Sequence, residues 1–506
     1  QRDNIDYLME LTANYTKDFG NHSLTALVGY SYQQFNQESV YAGNEDFSTD
    51  GFLYNNLQAG AGTKPYVNSS ARKSALGSYF ARANYSYLGK YLLTVTVRAD
   101  GESNFHPDYR WGYFPSVSAG WRVSDEEFMK PLSSILSNGK LRASYGQTGN
   151  SNIGNYMTDS YGVVSGWVFG NDGYMGTAIT KRGNKKLTWE TTSEFNIGLD
   201  LGFFDNRISL SMEYYNRIIS DLLVSNKSLP AYNEINTIAA NIGKTQGRGF
   251  ELTLSTVNIM NKDWTWSTDF TFYTFKDNWY ERDPNWKPAA YESKKDPIRS
   301  YYSYVSDGLL QVGEKAPAWQ PTLVPGQIKL KNLYDTGTSP NVLDQYDKVN
   351  LGSQDPKCTL GLNNTLRYKN LDFNIYFYGE IGRLRGASYY DAWIVGLGNS
   401  LTNVSQQSLH SYTNANQNTT VPNLIESAYD FGDYYHKKIN YLRCRNITLG
   451  YTIPVSKSIA NSVRISANVS NPFVFTNWNG VDPETDTGNF SYPNVTSFSF
   501  GIDISF

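Results

Sequence analysis

From Tyr91 to Asp100 the chain alternates without a fault: Leu93, Val95, Val97 and Ala99 fall on one side, Thr94, Thr96, Arg98 and Asp100 on the other. The same period of two sets Phe195, Ile197, Leu199 and Leu201 against Asn196, Gly198 and Asp200, and Ile208, Leu210, Met212 and Tyr214 against Ser209, Ser211, Glu213 and Tyr215. It returns at Phe250–Ser255, Leu371–Tyr378, Val463–Ser470 and, at the end of the chain, Ser497–Phe506. Strict alternation places one face of a strand in an apolar medium and the other in water, and about fifteen such segments are countable. Most approach the ~9–11 residues with which a tilted strand crosses a bilayer. No segment shows helical periodicity, so the chain reads as all-β.

The connections fall into two kinds that take turns. Short ones lie at Lys17–His22, Leu88–Lys90, Phe204–Asn206, Met260–Asp263, Lys369-Asn370 and Val455–Ser462. Long polar ones lie near 38–72, 101–112, 149–190, 220–247, 277–356, 384–440 and 477–494. Tight turns on one side and extended loops on the other are the rule of outer-membrane barrels. One connection departs from it: Asp125–Gly139 is long where a tight turn is due, and Asp125-Glu126-Glu127-Phe128 predicts a short helix there. Taking the short turns as periplasmic, the first strand, Ile5–Tyr15, and the last both run inward.

Composition supports a strand-built membrane protein over a soluble one. Aromatics make up 15% of the 506 residues, with 40 Tyr and 11 Trp, while charged residues are only 18%. A soluble enzyme shows more charge and hides more aliphatic side chains. No stretch approaches the ~18 apolar residues of a spanning helix. Tyr85, Tyr87, Tyr91, Trp264, Trp266 and Tyr451 cluster at strand ends beside short turns, as an interfacial belt requires. A soluble sandwich or propeller has no reason to keep its long loops on one edge and its aromatics at strand ends. A net charge of −3 gives no electrostatic case for nucleic acid. The start, Gln1-Arg2-Asp3-Asn4, carries no signal-peptide pattern, which fits either a mature terminus or a piece of something longer. Cys358 falls on an apolar row and Cys444 on a polar row two strands away, so two free thiols are expected.

The polar rows carry both signs of charge: Arg82, Arg98, Asp100, Arg122, Arg142, Asp200, Glu213, Asp269, Arg367 and Asp372. Lipid does not tolerate such a face, so these residues are expected to line a lumen, as a water-filled channel or as a wall against a plug.

The residues themselves are distinctive. Gly77-Ser78-Tyr79-Phe80-Ala81-Arg82-Ala83-Asn84-Tyr85 is followed by Tyr91–Gly101 and by Arg110-Trp111-Gly112-Tyr113-Phe114-Pro115-Ser116, then by Leu141–Asn150, Leu187-Thr188-Trp189-Glu190, Asn241-Ile242-Gly243, Gly249–Leu254 and Asn446–Tyr451. In this order they resemble the barrel of the SusC/RagA family of TonB-dependent outer-membrane transporters of Bacteroidota, over nearly the whole chain. The resemblance implies a barrel of about 22 strands, of which residues 1–506 supply the C-terminal fifteen or so without the plug. It also implies a bacterial outer-membrane location, a SusD-like surface lipoprotein, energy from TonB acting through the N-terminal region this chain lacks, a dimer of SusC–SusD pairs, and an oligosaccharide or a peptide as cargo. The terminal Phe506 resembles the C-terminal aromatic by which such barrels are recognised for assembly.

Nothing catalytic accompanies this. His22, His106, His410 and His436 stand mostly in turns and loops, away from any nucleophile or metal motif, and no cofactor is expected. The family often carries an acidic loop resembling a calcium site; the matching stretch here keeps Asp335, Asp344 and Asp347 without the required spacing. Val481-Asp482-Pro483-Glu484-Thr485-Asp486-Thr487 reads as a cation loop or as a Pro-stiffened surface turn. Ligand contact suits the loop aromatics better: Trp167 and Phe169, and Tyr389, Tyr390, Asp391 and Trp393, offer faces for stacking beside polar groups. Three functions fit these features: an energy-dependent importer of oligosaccharides or peptides, a passive porin-like channel, and a surface adhesin.

Overall fold

The computed structural model describes residues 1–62, 66–169, 172–230, 235, 237–293, 295–334, 341–386, 406–423, 431–455, 461–478, 482–485 and 492–505. One antiparallel sheet of fifteen strands organises them, and every strand pairs with its neighbours in chain order. The strands are β1 (Arg2–Phe19), β2 (His22–Gly43), β3 (Tyr66–Tyr87), β4 (Tyr91–Glu102) and β5 (Trp111–Arg122). They continue as β6 (Leu136–Asn150), β7 (Glu190–Phe203), β8 (Ile208–Ser220), β9 (Lys244–Met260) and β10 (Trp264–Glu281). The last five are β11 (Cys358–Tyr368), β12 (Leu371–Gly386), β13 (His436–Ile453), β14 (Ser462–Thr476) and β15 (Ser497–Ser505). Among the described residues no helix is long and apolar enough to cross a membrane, so crossing falls to the strands.

The alternation becomes two faces. Leu93, Val95 and Val97 of β4, Phe195 and Ile197 of β7, Leu449 and Tyr451 of β13 and Phe498, Phe500, Ile502 and Ile504 of β15 stand exposed on one side. An apolar surface of this extent on water would aggregate; against acyl chains it is at rest.

Many strands are longer than the alternation predicts. β2 and β3 have 22 residues each, and their register runs unbroken from His22↔Tyr87 to Gly43↔Tyr66. Past the apolar belt both faces turn polar, so hydrophobic period no longer marks the strand, yet the ladder still satisfies each backbone group. The long connections of the main sheet are therefore mostly shorter at both ends, at 44–65, 103–110, 151–189, 221–243 and 387–435, while 282–357 begins later but ends one residue later and 477–496 ends two residues later than expected.

The short-turn end is built from tight reversals and stacked rings. Gly20 takes φ 61° where the chain turns from β1 to β2, a conformation open to glycine at little cost. Beside it Phe19 stacks on His22 at 5.1 Å, and the His22 ring meets the Tyr85 hydroxyl at 2.6 Å. Trp264 and Tyr368 pack with centroids 4.4 Å apart. The irregular connection between β5 and β6 holds two 3-10 turns, Val123–Asp125 and Glu127–Leu132, in place of the single short helix expected. Pro131 lies inside the second and lacks the N–H a longer helix needs.

At the opposite end the long connections carry small structures of their own. Hairpins form between Tyr161–Phe169 and Asp172–Lys181 and between Leu223–Ser228 and Thr237–Asn241. Small cores knit the loops to one another and to strand ends, two of them larger than the third. In one of those two, Phe114 of β5 meets Trp189 edge-on at 5.4 Å, with Phe105, Ile153, Leu187 and Ala239 around them. The other gathers Leu309, Ile328, Leu330 and Tyr412 from two different connections.

One irregularity matters more than its size. Between Asn446 and Cys444 the registers of β13 with β12 and with β14 both shift: against β12 Arg445 is an extra residue, and against β14 it stands opposite two, Asn471 and Pro472. A bulge of this kind reverses the face of everything beyond it. Cys444 is thereby brought opposite Phe377 and Phe473 and fully buried. This corrects the placement of Cys444 on the polar row: it shares the apolar row with Cys358, and both thiols are free.

Candidate functional site

The face opposite the apolar row is a connected field of hydrogen bonds and ion pairs. Arg142 of β6 reaches across β7 to β8: its Nε lies 3.2 Å from Asp200 and its Nη1 2.6 Å from Glu213. Asp200 also accepts from the Ser211 hydroxyl at 2.7 Å, and Glu213 from the Asn196 amide. These side chains remain about 30% open, at 31% for Arg142, 29% for Asp200 and 28% for Glu213. Glycine makes the reach possible: a Cβ at Gly198, which pairs with Arg142, would overlap the guanidinium.

The other polar-row residues form smaller groups on the same face. Arg98 contacts Asp100 at 2.8 Å and donates to Ser78 at 2.9 Å. Arg82 donates to the Thr96 hydroxyl at 3.2 Å. Asp269 accepts from Ser255 at 2.7 Å. Arg367 and Asp372 are direct cross-strand partners, yet the Asp372 carboxylate is taken from the other side by Arg464, at 2.7 Å. Arg122 pairs by register with Lys140, two strand positions of like charge near the short-turn end.

A second and deeper cluster was not foreseen. Residues 482–485 and Asn494 of the last long connection lie against the polar face of β12 and β13. The Asp482 carboxylate receives Arg443 Nη2 at 2.9 Å on both oxygens, and the amides of Glu484 and Asn494 at 2.8 and 3.1 Å. Glu484 receives Arg443 Nε and Arg445 Nη2, each at 2.6 Å. Arg385 donates to the carbonyls of Pro483 and Thr485 while lying over the Trp478 ring. Arg443 and Asp482 are 3% and 6% exposed. Residues 482–485 are thus neither a cation loop nor a surface turn: arginines already occupy the carboxylates. The bulge is what allows this. Counting back from Ile447 by twos would leave Arg443 and Arg445 against lipid; one inserted residue returns both to the polar face. That clash of arginine with an apolar row was the signal available in the sequence.

At the short-turn end Glu126 accepts from the Tyr91 hydroxyl at 2.7 Å, the Trp121 indole at 3.1 Å and Lys90 at 3.3 Å. These donors, the Tyr91 hydroxyl foremost, hold its carboxyl below the usual carboxylate range.

Of the acidic residues weighed for metal, Asp347 is fully buried and accepts the amides of Leu333, Tyr334 and Asp344 at 2.6, 3.0 and 2.9 Å. Asp344 accepts the Tyr346 amide at 2.8 Å, so the two form a capping box around Gln345–Asp347. Asp335 lies outside the described residues. Among those described, no group of three or more His, Cys, Asp and Glu is placed to hold a metal ion. Trp167 and Phe169 lie on the hairpin strand Tyr161–Phe169, described as backbone alone. Tyr389, Tyr390, Asp391, Trp393 and Phe506 fall outside the described residues.

Comparisons with known proteins agree with this architecture. A family model described as "TonB dependent receptor-like, beta-barrel" matches residues 1–471. The TonB-dependent receptor P3 of Formosa agariphila is 32% identical, with 100% of this chain and 53% of that protein aligned. The TonB-dependent receptor SusC of Bacteroides thetaiotaomicron is 29% identical over 99% of this chain and 50% of its own length. The chain therefore spans about half the length of the curated relatives it matches. Among solved structures, one titled as the RagAB peptide transporter superposes with a TM-score of 0.83 at 25% identity, covering 100% of this chain and 56% of the other. An ordered antiparallel sheet with one face for lipid and one laced with ions, matched along nearly its whole length by the barrel model, leaves one assignment: the chain belongs to the TonB-dependent receptor β-barrel family, in its SusC/RagA-like group.

Proposed function

We propose that the protein to which this barrel wall belongs is an energy-dependent importer of large nutrients, working with TonB and a SusD-like surface lipoprotein. The wall stands in the outer membrane, with the apolar face in the bilayer. On this reading the face bearing Arg142, Asp200 and Glu213 lines the lumen, the short turns face the periplasm, and the long connections face outward. The observation that carries the proposal is this ion-laced face: both signs of charge are fixed there by hydrogen bonds and still partly open, as a wall that must hold and release polar contents requires. Oligosaccharide is the first cargo reading and peptide the second, the latter favoured by the likeness to the RagAB peptide transporter. Trp167, Phe169, Tyr389, Tyr390, Asp391 and Trp393 are proposed to meet the cargo from the outward loops, and Phe506 to serve barrel assembly.

The test is uptake of labelled oligosaccharides and peptides by cells carrying the full-length protein, with and without collapse of the proton-motive force. Uptake that stops on collapse is expected. Uptake that persists converts the reading to a passive channel, and surface binding without any uptake converts it to an adhesin.

A further inference from the structure

Among the described residues of the apolar face, two basic side chains stand directly side by side. Arg248 of β9 and Lys276 of β10 are direct cross-strand partners, and Arg248 is equally opposite Asn216 of β8. Their row is fixed by neighbours two residues away on each strand. Arg248 continues Leu254, Leu252 and Phe250, and Lys276 continues Phe270, Phe272 and Thr274, with no register shift between them. Both side chains are exposed. They point to the lipid side, not to the lumen.

Their height is set by the ring of aromatics at the short-turn end. Trp266 stands on the same row of β10, ten residues before Lys276. At ~3.3 Å per residue and a tilt of ~35–45°, that is a rise of about 25 Å, the height of the apolar band of an outer-membrane barrel. The two cations therefore sit where the acyl chains of the outward leaflet give way to headgroups.

Like charges directly opposite on adjacent strands repel unless something neutralises them. Further up the same ladder this is done within the chain: Lys244 pairs with Glu281 at 3.0 Å. Around Arg248 and Lys276 it is not done among the described residues. Arg248 Nε donates to the neutral Asn216 side chain at 3.3 Å, which Gln246 also contacts at 2.9 Å. Asp296 makes no ion pair with Lys276 and accepts from the Tyr302 hydroxyl at 2.7 Å and the Ser293 amide at 2.9 Å. The missing countercharge is thus expected from outside the chain, at headgroup level. A bidentate guanidinium beside a flexible ammonium is a phosphate-binding pair.

We infer that Arg248 and Lys276 form an outward-leaflet lipid site that holds the phosphate of a phosphorylated glycolipid headgroup, with Asn216 and Gln246 orienting the guanidinium. The inference needs the outer-membrane orientation of the barrel and nothing about its cargo.

The full-length protein, extracted in mild detergent, is placed in nanodiscs containing bisphosphorylated lipid A or the same lipid after phosphatase treatment, and bound glycolipid is counted by native mass spectrometry. Retention of the phosphorylated lipid by the natural protein is expected to exceed that of the Arg248→Ala/Lys276→Ala variant about tenfold. The phosphatase-treated lipid should be retained equally by both. Arg248→Lys should keep most of the retention, and unchanged heat-modifiability on electrophoresis shows each variant folded. Equal retention by the natural and doubly substituted proteins overturns the inference, as does retention indifferent to the phosphate. Displacement by millimolar inorganic phosphate alone also overturns it, since the site would then be one for free anions.

Discussion

Two clusters of the same residue types sit on the same face of the sheet and behave as different materials. Arg142 with Asp200 and Glu213 is about 30% open to solvent, whereas Arg443 with Asp482 and Glu484 is nearly sealed. In the first, water shares the charges, so the ions can exchange partners at small cost. In the second, loss of one partner strands a charge in a dry setting. Identical chemistry thus yields an adaptable lining in one place and a fixed anchor in the other, and burial alone separates them.

The comparison breaks most readily at the anchor. Asp482→Ala should destabilise the docked connection by about 3–5 kcal/mol, read as loss of hydrogen-exchange protection across 477–478 and 482–485 in the full-length protein. Replacing both partners, Arg443→Met with Asp482→Leu, should restore most of that protection, because no charge is left unpaired. If the single substitution is harmless, burial is not what distinguishes the clusters. Glu213→Gln in the open cluster should cost below about 1 kcal/mol in denaturant unfolding; a loss as large as that at Asp482 would make the lining a second anchor.

The smallest effect sharpens the comparison at a third ion group. Because the folded Glu126 carboxyl lies below its ordinary value of 4.5, its contribution is fully present above that value and is lost as pH falls through the lower folded one. Trp121 emission, sensitive to the indole–carboxylate bond, should stay flat at neutral pH and change only on acidification below the ordinary value of 4.5. Glu126→Gln should abolish the change. A transition near neutrality would mean that another group controls the turn.

How much of this was written in the chain depends on the medium around each segment. Where one face meets lipid, the penalty for a polar residue is steep, and Leu93–Asp100 or Phe498–Ser505 declares its strand and its faces outright. Above the belt that penalty vanishes: Gln33–Gly43 and Tyr66–Lys73 hold Phe35, Val40, Tyr41 and Val67 without a sustained alternation, though their ladder is unbroken. The polar rows were legible as rows, because alternation assigns a face. Their partnerships were not, since Asp372 chooses Arg464 over the directly opposite Arg367 through side-chain reach that register does not encode. The docking of residues 482–485 was hidden for a related reason: Arg443 and Asp482 are 39 residues apart, and no local pattern links them. Arg443 and Arg445, set against an apolar row by strict counting, were the one local contradiction that pointed to it.

The bulge at Arg445 also bears on how this chain tolerates change in length. Deleting that single residue would close the bulge against β12 and leave both rows where they are, with Cys444 and Leu442 still on the apolar side and Arg443 still on the polar one; what is lost is the Arg445–Glu484 ion pair at 2.6 Å. Gains and losses of one residue are ordinarily absorbed at loop tips; here one can be absorbed inside a strand, because the bulged and the regular ladder put the same residues on the same faces. Among relatives, a strand one residue shorter at this point should therefore keep the same two rows and lack only the second arginine contact to Glu484.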